Sequence, residues 1–88
     1  MVKVKLFANF REAANTKEVE VEAKTIKELL QTLTTKFEKL KPLIYEGDRL
    51  RDYVHIMVNG RHIRSLNGID TELKEEDVVA IFPPVSGG

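Results

Sequence analysis

From Thr25 to Leu40 the chain carries the clearest helical pattern it has, TIKELLQTLTTKFEKL. Ile26, Leu29, Leu30, Leu33, Phe37 and Leu40 recur at the spacing of one helical face. Thr25 followed by Glu28 has the spacing of a capping box, in which each side chain satisfies a free backbone N–H of the other residue. Lys36, Lys39 and Lys41 gather at the far end, where they favour the helix dipole. Pro42, with no N–H to donate, is expected to stop propagation. One helix with one apolar face cannot bury itself. It needs one sheet to cover, and that requirement constrains everything else in an 88-residue chain.

The strands are legible as period-two alternation. Val2, Val4 and Leu6 alternate with Lys3, Lys5 and Phe7, and Val19 and Val21 alternate with Glu18, Glu20 and Glu22. The intervening stretch from Arg11 to Thr16 reads as a loop or a short helical turn, so the two strands are predicted to form a hairpin with a longer connection. Asn59-Gly60 is the strongest short hairpin signal in the chain, because both positions tolerate the positive φ of a type I′ turn. A two-residue loop there sets Val58 opposite Arg61, Met57 opposite His62 and Ile56 opposite Ile63, with the isoleucines on the core face. Val78 to Phe82 supplies the last strand, with Val79 and Ile81 inward and Ala80 and Phe82 outward.

The resulting order is β-β-α-β-β-β, and a right-handed crossover carries the helix over the sheet. The last strand can then lie beside the first. The predicted class is α+β: a β-grasp, ubiquitin-like domain over residues 1–82, with a mixed sheet of about five strands on one main helix, followed by a tail over 83–88. No repeat or low-complexity segment interrupts it.

Composition removes several functions. Fourteen basic and 14 acidic residues cancel, which argues against a nucleic-acid binder relying on a basic surplus. Without cysteine there is no disulfide, thiol nucleophile or thiolate zinc site. The first residues alternate as a strand rather than forming a signal peptide, and no apolar run is long enough to span a bilayer. A cytoplasmic location without membrane partners is the expectation. No Gly-rich loop of P-loop spacing is present, so the chain is expected to bind no nucleotide itself. His55 and His62, diagonal on one sheet face, make a poor metal site without a third ligand, and none is predicted. Glu46, Asp48 and Asp52 around Arg49 and Arg51 read as a solvated loop with local ion pairs.

The chemistry is expected at the end, IFPPVSGG. A terminal carboxylate is ionised at neutral pH and inert to attack until it is activated, commonly by adenylation with ATP. Gly87-Gly88 passes through a narrow entrance because neither residue carries a side chain. Pro83-Pro84 keeps the segment extended, and the six residues from Pro83 through Val85 and Ser86 to Gly88 reach roughly 20 Å from the domain at ~3.3 Å per residue.

With FPPVSGG, with VNG at Val58 to Gly60, and with KLFANFRE near its start, the chain resembles the MoaD-type sulfur carriers from end to end. These are the small subunits of molybdopterin synthase, within the ubiquitin-like ThiS–MoaD superfamily. The resemblance implies that Gly88 is adenylated by a ubiquitin-activating-type adenylyltransferase, which uses ATP and a sulfur donor, and is converted to a thiocarboxylate. It further implies that the large subunit of molybdopterin synthase draws on that sulfur to build the dithiolene. The chain itself would hold no cofactor, and catalytic residues would lie on its partners. A departure is Glu75-Glu76-Asp77, where the family often carries a glycine in the turn before the last strand. Conjugation of Gly88 to lysines, as by a ubiquitin-like modifier, and sulfur delivery to thiamin or to tRNA are the alternatives.

Strand parity then suggests how partners engage. Phe7 faces away from the core with Lys3 and Lys5, and Phe82 shares that exposed face beside Met57 and His62. An aromatic pair left in water at the root of the tail is a docking anchor.

Overall fold

The computed structural model describes residues 1–83. The tail residues Pro84, Val85, Ser86, Gly87 and Gly88 lie outside them. Strand β1 (Val2–Leu6) pairs antiparallel with β2 (Glu18–Val21), with Val2 opposite Val21 and Val4 opposite Val19. Their inward valines are buried and their outward lysines and glutamates face solvent or the sheet rim, as the alternation predicts.

The connection between them is more ordered than the sequence suggests. Ala8–Ala14 forms a two-turn helix, α1, which Asn15 closes in the left-handed region at φ 58°. Phe10, on its inner face, is fully buried and is a core residue that the alternation does not reveal.

Helix α2 spans Ile26–Lys36 and buries Ile26, Leu29, Leu30 and Leu33 completely. Thr25 caps it by accepting the Glu28 N–H at 3.2 Å. The Glu28 carboxylate reaches one residue farther than a reciprocal box requires and accepts the Lys24 N–H at 3.3 Å instead of that of Thr25.

The helix also stops sooner than its apolar spacing predicts. Phe37 leaves helical geometry at φ −123°, ψ 87°, and a 3₁₀ turn over Glu38–Leu40 delivers Leu40 to the core. Pro42 terminates nothing. It sits in the first turn of the short helix α3 (Lys41–Ile44), where the missing N–H would have had no partner.

A two-stranded ribbon follows, β3 (Tyr45–Glu46) with β4 (Arg49–Leu50), turned by Gly47 at φ +64°. The charged residues read as a loop thus include a hairpin, and one ion pair, Arg51 to Glu46, is present at 3.9 Å.

Strands β5 (His55–Val58) and β6 (Arg61–His62) meet through Asn59 and Gly60, both at positive φ (51° and 85°). The register is the predicted one for Met57 with His62 and Val58 with Arg61. Ile63 starts a 3₁₀ turn instead of extending β6, and it is still buried.

Strand β7 (Val78–Phe82) runs parallel to β1 and antiparallel to β5, completing a five-stranded sheet in the order β2-β1-β7-β5-β6. Last beside first, with α2 over one face, is the β-grasp arrangement. The helix covers only that face, so the opposite side of the sheet is left for other work.

Candidate functional site

On that opposite side, register brings together residues far apart in sequence. Leu6 lies beside Ile81 across the parallel β1–β7 pair, which sets Phe7 next to Phe82 just past the strand end. Their rings stack with centroids 4.5 Å apart and planes 11° from parallel. Phe7 is held by its neighbour: Ala8 has φ +51°, a left-handed conformation that turns the chain abruptly from β1 into α1. An alanine there is strained by about 1–2 kcal/mol.

On the other flank of β7, His55 pairs with Phe82 and Met57 with Ala80. Phe7, Ala8, Met57, Phe82 and Pro83, with the two imidazoles, line an open, largely carbon-walled groove of about 500 Å³. Phe7, at 37% exposure, is among the few large apolar side chains that reach solvent.

The histidines form a directional unit. His62 Nδ1 accepts the Arg64 backbone N–H at 3.1 Å, so the neutral ring carries its proton on Nε2. That Nε2–H donates to His55 Nδ1 at 3.1 Å, and the rings meet edge to face. Burial, then the Arg64 charge, then His55, hold His62 below the usual imidazole value of 6.5.

The same bonds bear on metal chelation. A cation between the two facing nitrogens would require His62 to move its proton to Nδ1, against the Arg64 N–H. Among the described residues no group of three or more His, Asp or Glu is arranged to hold a metal ion.

Phe7, Phe82, Met57 and His62, predicted to share an exposed face, are therefore brought together, and Pro83 joins them as the last described residue. Pro84, Val85, Ser86, Gly87 and Gly88 lie outside the described residues. His55 and Ala8 belong to the groove but were not predicted as docking residues. Strand parity already implies His55, two residues before Met57. Ala8 carries no sequence signal of a positive φ.

The ThiS family profile matches residues 4–88. The small archaeal modifier protein 1 of Methanosarcina acetivorans, solved in solution, is 46% identical with a TM-score of 0.91, over 99% of this chain and 95% of that one. A candidate subunit 1 of molybdopterin converting factor from Pyrococcus furiosus is 38% identical with a TM-score of 0.75, covering 96% and 97%. A candidate sulfur carrier protein of Archaeoglobus fulgidus is 32% identical over 88 residues, 99% of this chain and 98% of the relative.

Proposed function

The chain belongs to the ThiS family, and from that premise we propose that it carries sulfur for molybdopterin synthesis on the carboxyl of Gly88. Its class is that of the ubiquitin-like sulfur carriers and modifiers. The observation that supports a chain acting through its C-terminal segment is the apolar groove at the root of that segment. Phe82 and Pro83 are both part of its wall and the start of the segment. A protein that takes in the residues beyond Pro83 meets a segment that starts in this wall, beside Phe7 and Met57. The helix-free face of the sheet thus becomes a docking surface, and the tail a substrate.

In the chemistry, a Gly88 carboxylate oxygen attacks the α-phosphorus of ATP, and pyrophosphate leaves. The mixed anhydride makes the carbonyl carbon electrophilic and AMP a leaving group. Hydrosulfide, the sulfide-level form of the donor's sulfur, then bonds to that carbon as the bond to AMP breaks, giving the thiocarboxylate, AMP and a proton. These steps take place on a ubiquitin-activating-type adenylyltransferase. On the large subunit of molybdopterin synthase the thiocarboxylate sulfur then bonds to the acceptor carbon, and water cleaves the C–S bond to restore the Gly88 carboxylate. This chain contributes the acyl group, the reach and the docking face. The likeness to a molybdopterin converting factor subunit supports that acceptor.

Incubation with the activating enzyme, ATP and a sulfur donor is expected to raise the intact mass by about 16 Da, the replacement of one oxygen by sulfur. Deleting Gly88 abolishes that gain and leaves thermal unfolding unchanged. Absence of any ATP-dependent change at Gly88 overturns the reading. A second reading, conjugation of Gly88 to lysine amines, is favoured by the 46% identity to a protein named as a modifier. It shares the acyl-adenylate and differs in the product, a Gly-Gly remnant on lysines of other proteins.

A further inference from the structure

Arg64 stands beside the groove, two residues after His62 of its wall. Its backbone N–H is committed to His62 Nδ1, and its guanidinium Nη2 donates to the backbone carbonyl of Asp52. A carbonyl orients a guanidinium without neutralising it. Among the described residues no carboxylate lies within 4.0 Å of it, as for most of the lysines and arginines; the paired ones are Arg51, with Glu46 at 3.9 Å, and Lys3, with Glu18 at 3.5 Å. The side chain is exposed. His62 links this charge to the groove: it belongs to the groove wall, accepts the Arg64 backbone N–H, and feels the Arg64 charge beside it.

The acidic cluster of Asp70, Glu72, Glu75, Glu76 and Asp77 does not offset it. That segment precedes the first residue of β7, while the groove is built at the strand's last residue.

A partner that covers the apolar floor also dehydrates this rim. Burying a guanidinium without a counter-charge costs several kcal/mol. We propose that the enzyme activating the C-terminus presents an acidic residue to Arg64, next to the apolar side chain that fills the groove between Phe7, Met57 and Phe82. Arg64 is then the polar determinant of docking and Phe82 the apolar one. The pairing steers encounter, since a rim charge acts mainly on association rate and salt dependence. This inference rests on the docking face proposed above and adds the chemistry of what meets it.

The test uses the full chain and the activating enzyme in ATP–pyrophosphate exchange at two salt concentrations. Arg64→Gln keeps a donor for the Asp52 carbonyl and removes the charge; Arg64→Glu reverses it; Arg64→Lys restores it. Arg61→Glu, exposed on β6 opposite core-facing Val58, is the like-charge control. Arg64→Glu is expected to raise KM about tenfold with kcat unchanged. Arg64→Gln lies between, with a weaker dependence of KM on salt, and Arg64→Lys returns most of that dependence. Equal effects of Arg64→Glu and Arg61→Glu overturn the pairing while leaving the carrier reading in place. So does sedimentation showing that the wild-type chain covers this face with a second copy of itself. No exchange with the wild-type chain overturns the carrier reading, and this inference with it.

Discussion

Replacing Phe82 by Ala separates a docking residue from a core residue, because the structure sets different costs for the two roles. The ring is half-buried and stacks on Phe7 at 4.5 Å. A stacked pair contributes about 0.5–1.5 kcal/mol beyond its buried area, and a fully buried Phe→Ala change costs about 3–5 kcal/mol. With one side of the ring open to the groove, about half of the burial cost applies, so the folded state should lose about 2 kcal/mol. A domain of this size falls by roughly 4–8 °C in Tm for each kcal/mol, so the variant melts about 8–16 °C lower and still folds.

Docking suffers more. An anchor at the centre of an interface is worth at least ~2 kcal/mol, or about thirtyfold in KM for ATP-dependent activation. Leu33→Ala supplies the opposite profile. Leu33 is fully buried under α2 and remote from the groove, so its loss costs about 2–5 kcal/mol of stability and leaves KM unchanged for the folded protein. Urea unfolding followed by circular dichroism gives one axis and exchange kinetics the other. A Phe82→Ala variant that loses more than about 4 kcal/mol of stability and keeps its KM within twofold would refute the docking role and assign the ring to the core.

Two further outcomes follow from local geometry. Glu76 has φ +69° in the turn before β7, where an L side chain is strained by about 1–2 kcal/mol and glycine is not. Glu76→Gly should therefore gain up to about 1 kcal/mol in urea unfolding, after the larger entropy of the unfolded glycine chain is subtracted. His62 has a folded-state pKa below 6.5, so the native state binds fewer protons than the unfolded chain as pH falls through that region. Its contribution is complete above pH 6.5 and is lost as pH falls toward the lowered native value. His62→Asn keeps an acceptor for the Arg64 N–H and should flatten the rise of stability with pH in that window, measured by urea unfolding at several pH values.

What the sequence made legible followed from patterns that a single element enforces. Period two set the faces of β1, β2 and β7, and Asn59-Gly60 fixed the β5–β6 register because both residues must take positive φ. What escaped depended on competing context. Helix α1 has only Phe10 and Ala14 buried in seven residues, too few to display a helical period. Leu40 kept the helical spacing although the chain reaches it through a 3₁₀ turn, since both paths can deliver an apolar side chain to the same core. The Gly47-Asp48 turn of β3–β4 carries a two-residue hairpin signal, but its strands are two residues each, too short to display an alternation.

The groove shows the same division at the level of function. Parity assigns Phe7 and Phe82 to the exposed face, yet it cannot bring their rings together. That depends on β7 lying parallel to β1 with Leu6 beside Ile81, a consequence of the crossovers and of the sheet order β2-β1-β7-β5-β6. The Arg64 hydrogen bonds go a step farther. They join a turn after β6 to a loop before β5 and fix the histidine tautomers between them, through contacts that no local period encodes. An apolar site whose members each belong to an ordinary strand pattern can thus be anticipated residue by residue. The charge at its rim becomes visible only when the side chains that could have neutralised it are seen to be elsewhere. A substitution at Arg64 therefore tests recognition through an exposed side chain whose one bond to the fold among the described residues is to the Asp52 carbonyl.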